Sequence, residues 1–260
     1  MTILKQILEK KAQAVDELKS KTTESQLSSI AESQPPARSL VDAIENCANV
    51  PVIAEIKKAS PSRGAILPDA NIVSIAQQYQ ENSAVAISVL TESHYFSGSI
   101  LDLKSIRQAT DIIILRKDFI IDPIQIIEAR AAGADTVLLI AAALTFDQLK
   151  LLFETCLDYG MIPLIEIHDA DELAFVMALQ PSLIGINNRN LKTMTVDIQT
   201  SVNLRKMIPS SVCVVGESGI SSVDHIKMLL QAKINAFLIG TALMTSDNPG
   251  VQLNRLVHSI

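Results

Sequence analysis

The chain has 260 residues, 48% of them hydrophobic, enough to bury one large α/β core or two smaller ones. A net charge of -6 and a pI near 5.3 leave no surplus of Lys and Arg to displace phosphate counterions, so the composition excludes non-specific nucleic-acid binding and points to a small-molecule ligand. Cys47, Cys156 and Cys213 are odd in number and lie far apart, with no metal-like spacing, and read as reduced core thiols of a cytoplasmic protein.

The N-terminus, MTILKQILEKKAQ, is charged throughout and lacks the apolar core of a signal peptide; no apolar run in the chain is long enough to span a bilayer. Ile3, Leu4, Ile7, Leu8, Val15 and Leu18 recur at helical spacing and predict an amphipathic helix over 3–19. The segment from Lys21 to Pro36, rich in Ser, Thr, Gln and Pro, reads as a connection. Residues 1–49 are therefore expected to form a helical extension, and a different rhythm begins at Val50.

Apolar, strand-like runs recur at 51–57, 84–90, 112–117, 135–140, 161–167, 183–187, 212–216 and 235–239, each followed by a loop and a helical pattern. Helix boundaries between them carry local chemistry. Asp122-Pro123 supplies an N-cap and a first-turn proline with Gly133 at the far end, and Thr145-Phe146-Asp147-Gln148 is a capping box closed by Gly160. Strands apolar on both faces and alternating with helices belong to a covered parallel sheet. Eight repeats predict one closed (β/α)8 TIM barrel over 50–260, with the N-terminal helix either under the barrel floor or near the rim.

The first strand runs into PVIAEIKKASPSRG (51–64). It places Glu55 and Lys57 on one side of the pleat, where ionised groups imply a mutual ion pair or a polar ligand. Ser60-Pro61-Ser62-Arg63-Gly64 reads as a movable, hydroxyl-rich basic loop suited to an anion. Other strands close in the same way: the third on Lys117, the fifth on Glu166, the sixth on Asn187 and Arg189, the seventh on Glu217. In a barrel these ends converge on the catalytic face. Glu217-Ser218-Gly219 after strand 7 and Gly240-Thr241 after strand 8 combine glycines with hydroxyls where barrels of this class cradle phosphate, although such tripeptides also serve as ordinary helix caps.

The ordered set EIKKASPSRG (55–64), VLTESHYFSGS (89–99), LRKDFIID (115–122), IEIH (165–168), GINNRNL (185–191), GESGI (216–220) and LIGTALM (238–244) resembles the indole-3-glycerol-phosphate synthase family of tryptophan biosynthesis. The resemblance implies a cytoplasmic, cofactor-free lyase that closes the indole ring of 1-(2-carboxyphenylamino)-1-deoxy-D-ribulose 5-phosphate with loss of carbon dioxide and water; with no clustered Asp/His set in the sequence, no metal is expected. Its partner is then that phosphorylated substrate; a monomer is expected, although the sequence itself does not set the oligomeric state, with contacts to other enzymes of the pathway as a further expectation. By the same resemblance Lys117 is a general acid, and Lys57 contacts the substrate carboxylate or serves as a second acid. Glu166 is the base or a hydroxyl-orienting carboxylate, while Glu55, Asn187 and Glu217 hold substrate and tune the lysines. Phosphate falls to Ser60, Arg189, Ser218, Gly219, Gly240 and Thr241, and the aromatic ring to Phe96, Phe119, Leu139 and Leu191. Pro123 and Thr241 depart from the residues common in the family, Thr241 keeping the hydroxyl. His94 and His168 read as rim or loop histidines without a role. A phosphoribosylanthranilate isomerase, a Schiff-base aldolase and a ligand-binding barrel remain the rival readings.

Overall fold

The computed structural model describes residues 2–61, 64–67, 70–191 and 193–259. Eight parallel strands close into a barrel: β1 (Val52–Ile56), β2 (Ala86–Leu90), β3 (Ile113–Lys117), β4 (Thr136–Ile140), β5 (Leu164–Ile167), β6 (Leu183–Asn187), β7 (Cys213–Glu217) and β8 (Ala236–Ile239). Closure is direct. β1 pairs with β2 through Ile53↔Ala86 and with β8 through Val52↔Phe237, so the barrel sheet has no unpaired edge. A two-stranded hairpin, Ala59–Ser60 against Gly64–Ala65, extends β1 beyond the barrel.

Strand alternation sorts the side chains into two cores. Ile53, Ala86, Leu115, Leu138, Leu164, Leu183, Val215 and Leu238 point inward and pack on one another. Their neighbours, such as Val52, Ala54, Ile114, Leu139 and Ile184, point outward against the surrounding helices. Because the period is two, an inward residue near the bottom of a strand predicts an inward residue two positions on, and this parity delivers Glu55, Lys117, Glu166, Asn187 and Glu217 to the open end.

The covering helices are α4 (Ile72–Glu81), α5 (Ile100–Ala109), α6 (Pro123–Ala131), α7 (Phe146–Asp158), α8 (Ala170–Val176), α9 (Gln199–Arg205), α10 (Val223–Gln231) and, after β8, α11 (Thr241–Met244) and α12 (Pro249–Val257), preceded in the chain by α1 (Ile3–Lys21), α2 (Glu24–Ser33) and α3 (Leu40–Glu45). Asp122 caps α6 in a capping box with Gln125, and Thr145 caps α7 with Gln148, as the sequence leads one to expect.

The extension contains more helix than expected. The segment from Lys21 to Pro36 is no simple connection: Thr23 and Gln26 form a reciprocal capping box that starts α2, Ala31 is buried, and the helix packs along α6. Its polar composition hid a short helix that needs only a narrow buried face. Next, α3 inserts Leu40 and Ile44 into the inner core and closes the end of the barrel opposite the charged ring. Of the three thiols, Cys156 and Cys213 are core residues, whereas Cys47 is only half-buried.

Of the two positions open to α1, the rim is the one observed. Ile3, Leu4 and Ile7 line the cavity at the barrel mouth. Lys11 continues the buried stripe of Ile7 and Val15 and reaches the carboxylate of Asp118 at 2.6 Å, just past β3. That carboxylate also accepts from Arg116 at 3.2 Å and from the Thr91 hydroxyl at 2.6 Å. Burial alone would raise the acid, but the two cations outweigh it, so Asp118 lies below the usual carboxylate range.

Candidate active site

A cavity of about 530 Å³ opens at the carboxyl ends of the strands. Glu55, Lys57, Lys117, Glu166, Asn187 and Glu217, spread over five strands, all line it. The two lysines are held differently. Lys57 Nζ donates to Glu55 Oε2 at 2.5 Å, so the i, i+2 pair is the mutual ion pair, and both members line the cavity. Lys117 Nζ stands 3.1 Å from Glu166 Oε2 and 3.5 Å from Glu217 Oε2, shared between two carboxylates.

The electrostatics follow from that sharing. Burial by itself would depress the Lys117 ammonium, yet Glu166, Glu217 and Glu55 more than compensate and raise it above the ordinary lysine value. Glu166 and Glu217 divide the other way. Burial would raise both, but Lys117, His168 and Asn187 hold Glu166 below the usual carboxylate range. Glu217 has only Lys117 to offset burial and the neighbouring carboxylates Glu166 and Glu55, and is pushed up to about 8. Around one ammonium, Glu166 is thus biased toward the ionised form and Glu217 toward the protonated form.

Two glycines make room for these acids. A Cβ at Gly240 would overlap the carboxylate of Glu55, and one at Gly185 would overlap Glu217 Oε1. Both glycines sit at inward strand parity, where any side chain would enter the ring.

Ser60, Arg189, Ser218, Gly219, Gly240 and Thr241 also line the cavity. They follow β1, β6, β7 and β8, four strands that are contiguous in the barrel order, so the expected anion-binding residues form one sector. After β7 the chain turns through two successive left-handed residues, Ser218 (φ 62°) and Gly219 (φ 78°), and Asn188 fastens the turn by donating its amide to the Ser218 carbonyl at 3.0 Å. Arg189 is aimed by two bonds, its backbone N–H to Asn187 Oδ1 and its Nη1 to the Met194 carbonyl, both at 3.0 Å. Ser62 and Arg63 of the loop after β1 lie outside the described residues; its near end is tied down by Lys58, 2.7 Å from Asp102.

The apolar sector lies on other strands. Phe96 and Phe119 stand with ring centroids 6.3 Å apart, joined in the lining by Leu191 and by Ile3, Leu4 and Ile7 of α1. Leu139 is a correction. It points outward into the helix-facing core, and Leu138 and Ile140, of opposite strand parity, line the cavity instead. Phe96 is positioned by a residue that sequence reasoning passed over. Glu92, 1% exposed, accepts the backbone N–H groups of His94 at 3.0 Å, Tyr95 at 2.7 Å and Phe96 at 3.2 Å.

His168 is the other residue missed: it lies in the short loop between β5 and α8, as expected, but it is not without partners. Its Nε2 lies 3.3 Å from Glu166 Oε1 and its Nδ1 3.1 Å from Glu172 Oε2, with the ring almost entirely buried. Burial would lower the imidazole, but the two carboxylates dominate and raise it to about 10. The signal was present in the sequence: His168 follows Glu166 by two and precedes Glu172 by four, the spacings of one strand face and one helix face. Among the described residues, no group of three or more His, Cys, Asp or Glu side chains is arranged to hold a metal.

A family model described as Indole-3-glycerol phosphate synthase matches residues 4–256. A protein of that name from Bordetella pertussis is 44% identical over 258 residues, spanning 98% of each chain, and one from Dechloromonas aromatica is 46% identical over 226 residues, spanning 86% of each. Among solved structures, KGPDC from Streptococcus mutans superposes with a TM-score of 0.62 at 16% identity, covering 80% of this chain and 95% of that one. Thiamine phosphate pyrophosphorylase from Pyrococcus furiosus gives 0.61 at 15% identity, covering 84% and 96%. At such identities the structural likeness speaks to the barrel alone.

Proposed function

Because the chain belongs to the indole-3-glycerol phosphate synthase family, a family of carboxy-lyases in tryptophan biosynthesis, we propose that its charged ring divides the reaction between two ammonium groups and one carboxylate. The substrate is 1-(2-carboxyphenylamino)-1-deoxy-D-ribulose 5-phosphate. Its aromatic carbon bearing the carboxylate attacks the ketone carbon while a lysine ammonium delivers a proton to the carbonyl oxygen. The bond to the carboxylate then breaks, carbon dioxide leaves, and the released electron pair restores the aromatic ring. Last, the new hydroxyl departs as water with a second proton from an ammonium, and Glu166 takes a proton from the adjacent carbon to complete the indole. Two protons are donated and one is recovered, so the net reaction consumes one, which matches the loss of a carboxylate charge.

The roles follow from the environments. Lys117, held as an ammonium between Glu166 and Glu217, is the acid over the ketone, and Lys57, paired with Glu55, is the second cation, facing the substrate carboxylate and the departing hydroxyl. Glu166, kept ionised, is the base. Asn187 and Glu217 orient the hydroxyl groups. Ser60, Arg189, Ser218, Gly219, Gly240 and Thr241 take the phosphate, and Phe96, Phe119, Leu138, Ile140 and Leu191 sandwich the aromatic ring. The enzyme acts as a monomer in the cytoplasm, without a cofactor, and on neither nucleic acid nor membrane; among the described residues no helix is long and apolar enough to cross a bilayer.

The observation that carries this reading is that Lys57 and Lys117, sixty residues apart in sequence, face one cavity together with Glu166. The test is an ultraviolet assay of indole formation with the unaltered enzyme and with Lys117→Met. The substitution is expected to reduce turnover by at least about 100-fold with substrate binding kept within a few-fold. Borohydride added with substrate should leave Lys117 unmodified, since an ammonium held by two carboxylates is no Schiff-base nucleophile. Covalent trapping at Lys117, or full turnover by the methionine variant, would sink the assignment.

A further inference from the structure

Glu166 and Glu217 present the same functional group to the same ammonium, at 3.1 and 3.5 Å, and both are almost completely buried. Two carboxylates this close to one cation cannot both be ionised cheaply. What distinguishes them is the third neighbour. His168 touches Glu166, at 3.3 Å, and is itself held from behind by Glu172, which accepts from the His168 backbone N–H at 2.7 Å and lies 3.1 Å from Nδ1. We propose that His168 is a positioning residue that assigns the negative charge within the pair: its imidazolium, clamped by Glu172, keeps Glu166 ionised and leaves the shared proton on Glu217.

Every group facing the pair bears on this. Lys117 from β3 contacts both members, Asn187 from β6 donates to Glu166, and Glu55 from β1 adds negative charge that raises Glu217. None of these separates the two as sharply as a full positive charge placed against one of them. Glu172 and Asp169 face His168 from α8 and its cap, lining a second cavity of about 360 Å³ behind the ring, so the histidine is enclosed by acids on both sides. Only the carboxylate at its inner side faces the reaction.

The inference rests on Glu166 being the base, and the test separates the two claims. The acid limb of the kcat–pH profile should move upward by about one unit or more in His168→Gln, because Glu166 then competes with Glu217 for the proton, while KM stays within about twofold. Glu172→Gln should move the same limb in the same direction by a smaller amount. A second measurement needs no substitution. In the full-length, unaltered protein labelled with 15N histidine, the His168 ring should remain doubly protonated well above the ordinary histidine range of about 6.5. A His168→Gln profile superposable on the unaltered enzyme, or a His168 ring that titrates near 6.5, overturns the inference even where Glu166→Gln is inactive. A fully active Glu166→Gln overturns the base assignment beneath it instead.

Discussion

Gly240 leaves the space that the carboxylate of Glu55 fills: a Cβ at 240 would overlap Glu55 Oε2 and crowd its Cδ at 2.8 Å. Glu55 in turn holds Lys57 at 2.5 Å. Space at the end of the eighth strand therefore sets the position of an ammonium carried by the first, its hydrogen-bonded neighbour in the barrel.

Gly240→Ala should accordingly injure catalysis more than folding. The methyl group has to push the acid, and Lys57 with it, by a sizeable fraction of an ångström, a misplacement of the kind that costs on the order of 100-fold in kcat/KM. Steady-state kinetics beside a thermal melt would check this. A variant with intact kcat/KM would mean that Glu55 can swing aside without consequence.

Glu217 makes a prediction of opposite character. Its carboxyl group is pushed up to about 8 by burial and by Glu166 and Glu55, so near pH 7 it is mostly protonated and isosteric with an amide. Glu217→Gln should retain activity at pH 7 within about tenfold. As pH rises through about 8 the native enzyme loses this proton and should decline, a limb that the glutamine variant should lack. Activity profiles from pH 6 to 9 would reveal either behaviour.

The Lys11–Asp118 contact anchors α1 over the cavity. Lys11→Met should destabilise the fold by about 2 kcal/mol, less than the roughly 3–5 kcal/mol typical of a broken buried pair, because Arg116 and Thr91 still satisfy Asp118. The sign with pH follows from the depressed carboxyl. Its stabilisation is fully present above the ordinary aspartate value of about 3.9 and is lost as pH falls through the lower native value. Urea titrations at pH 3 and pH 7 should therefore show the difference between the variant and the native chain shrinking in acid.

Glu92→Ala should misplace Phe96. Three backbone N–H groups lose a charged acceptor, each such bond being worth roughly 1.5–3 kcal/mol, and a net loss of about 2–3 kcal/mol is expected once water replaces part of it. With the loop loosened, KM should rise several-fold more than kcat falls. The converse split, with kcat lost at unchanged KM, would show that Glu92 acts on the chemistry and not on the ring pocket.

Periodicity was the dependable guide to this molecule. Recurring apolar runs separated by helical patterns mark eight strands, and the charged residues closing several of them mark the end at which Glu55, Lys117, Glu166 and Glu217 collect, because inward placement two residues apart is a local property of extended backbone. The same rule, applied to Thr136–Ile140, would have favoured Leu138 over Leu139, so that miss was one of parity within a uniformly apolar strand. Helix α2 was missed because its polar sequence carries only a short buried face, although Thr23 and Gln26 state its start.

What the chain determined alone was the architecture and the membership of the ring, both written in residue order and local geometry. Tertiary structure decided the rest. It set α1 on the rim rather than the floor, gave Lys117 to two acids and Lys57 to one, and placed His168 between Glu166 and Glu172, against one member of the Lys117 carboxylate pair. The reason is physical: a proton or charge is assigned by distances of about 3 Å between groups tens of residues apart, and those distances exist only once the barrel has closed.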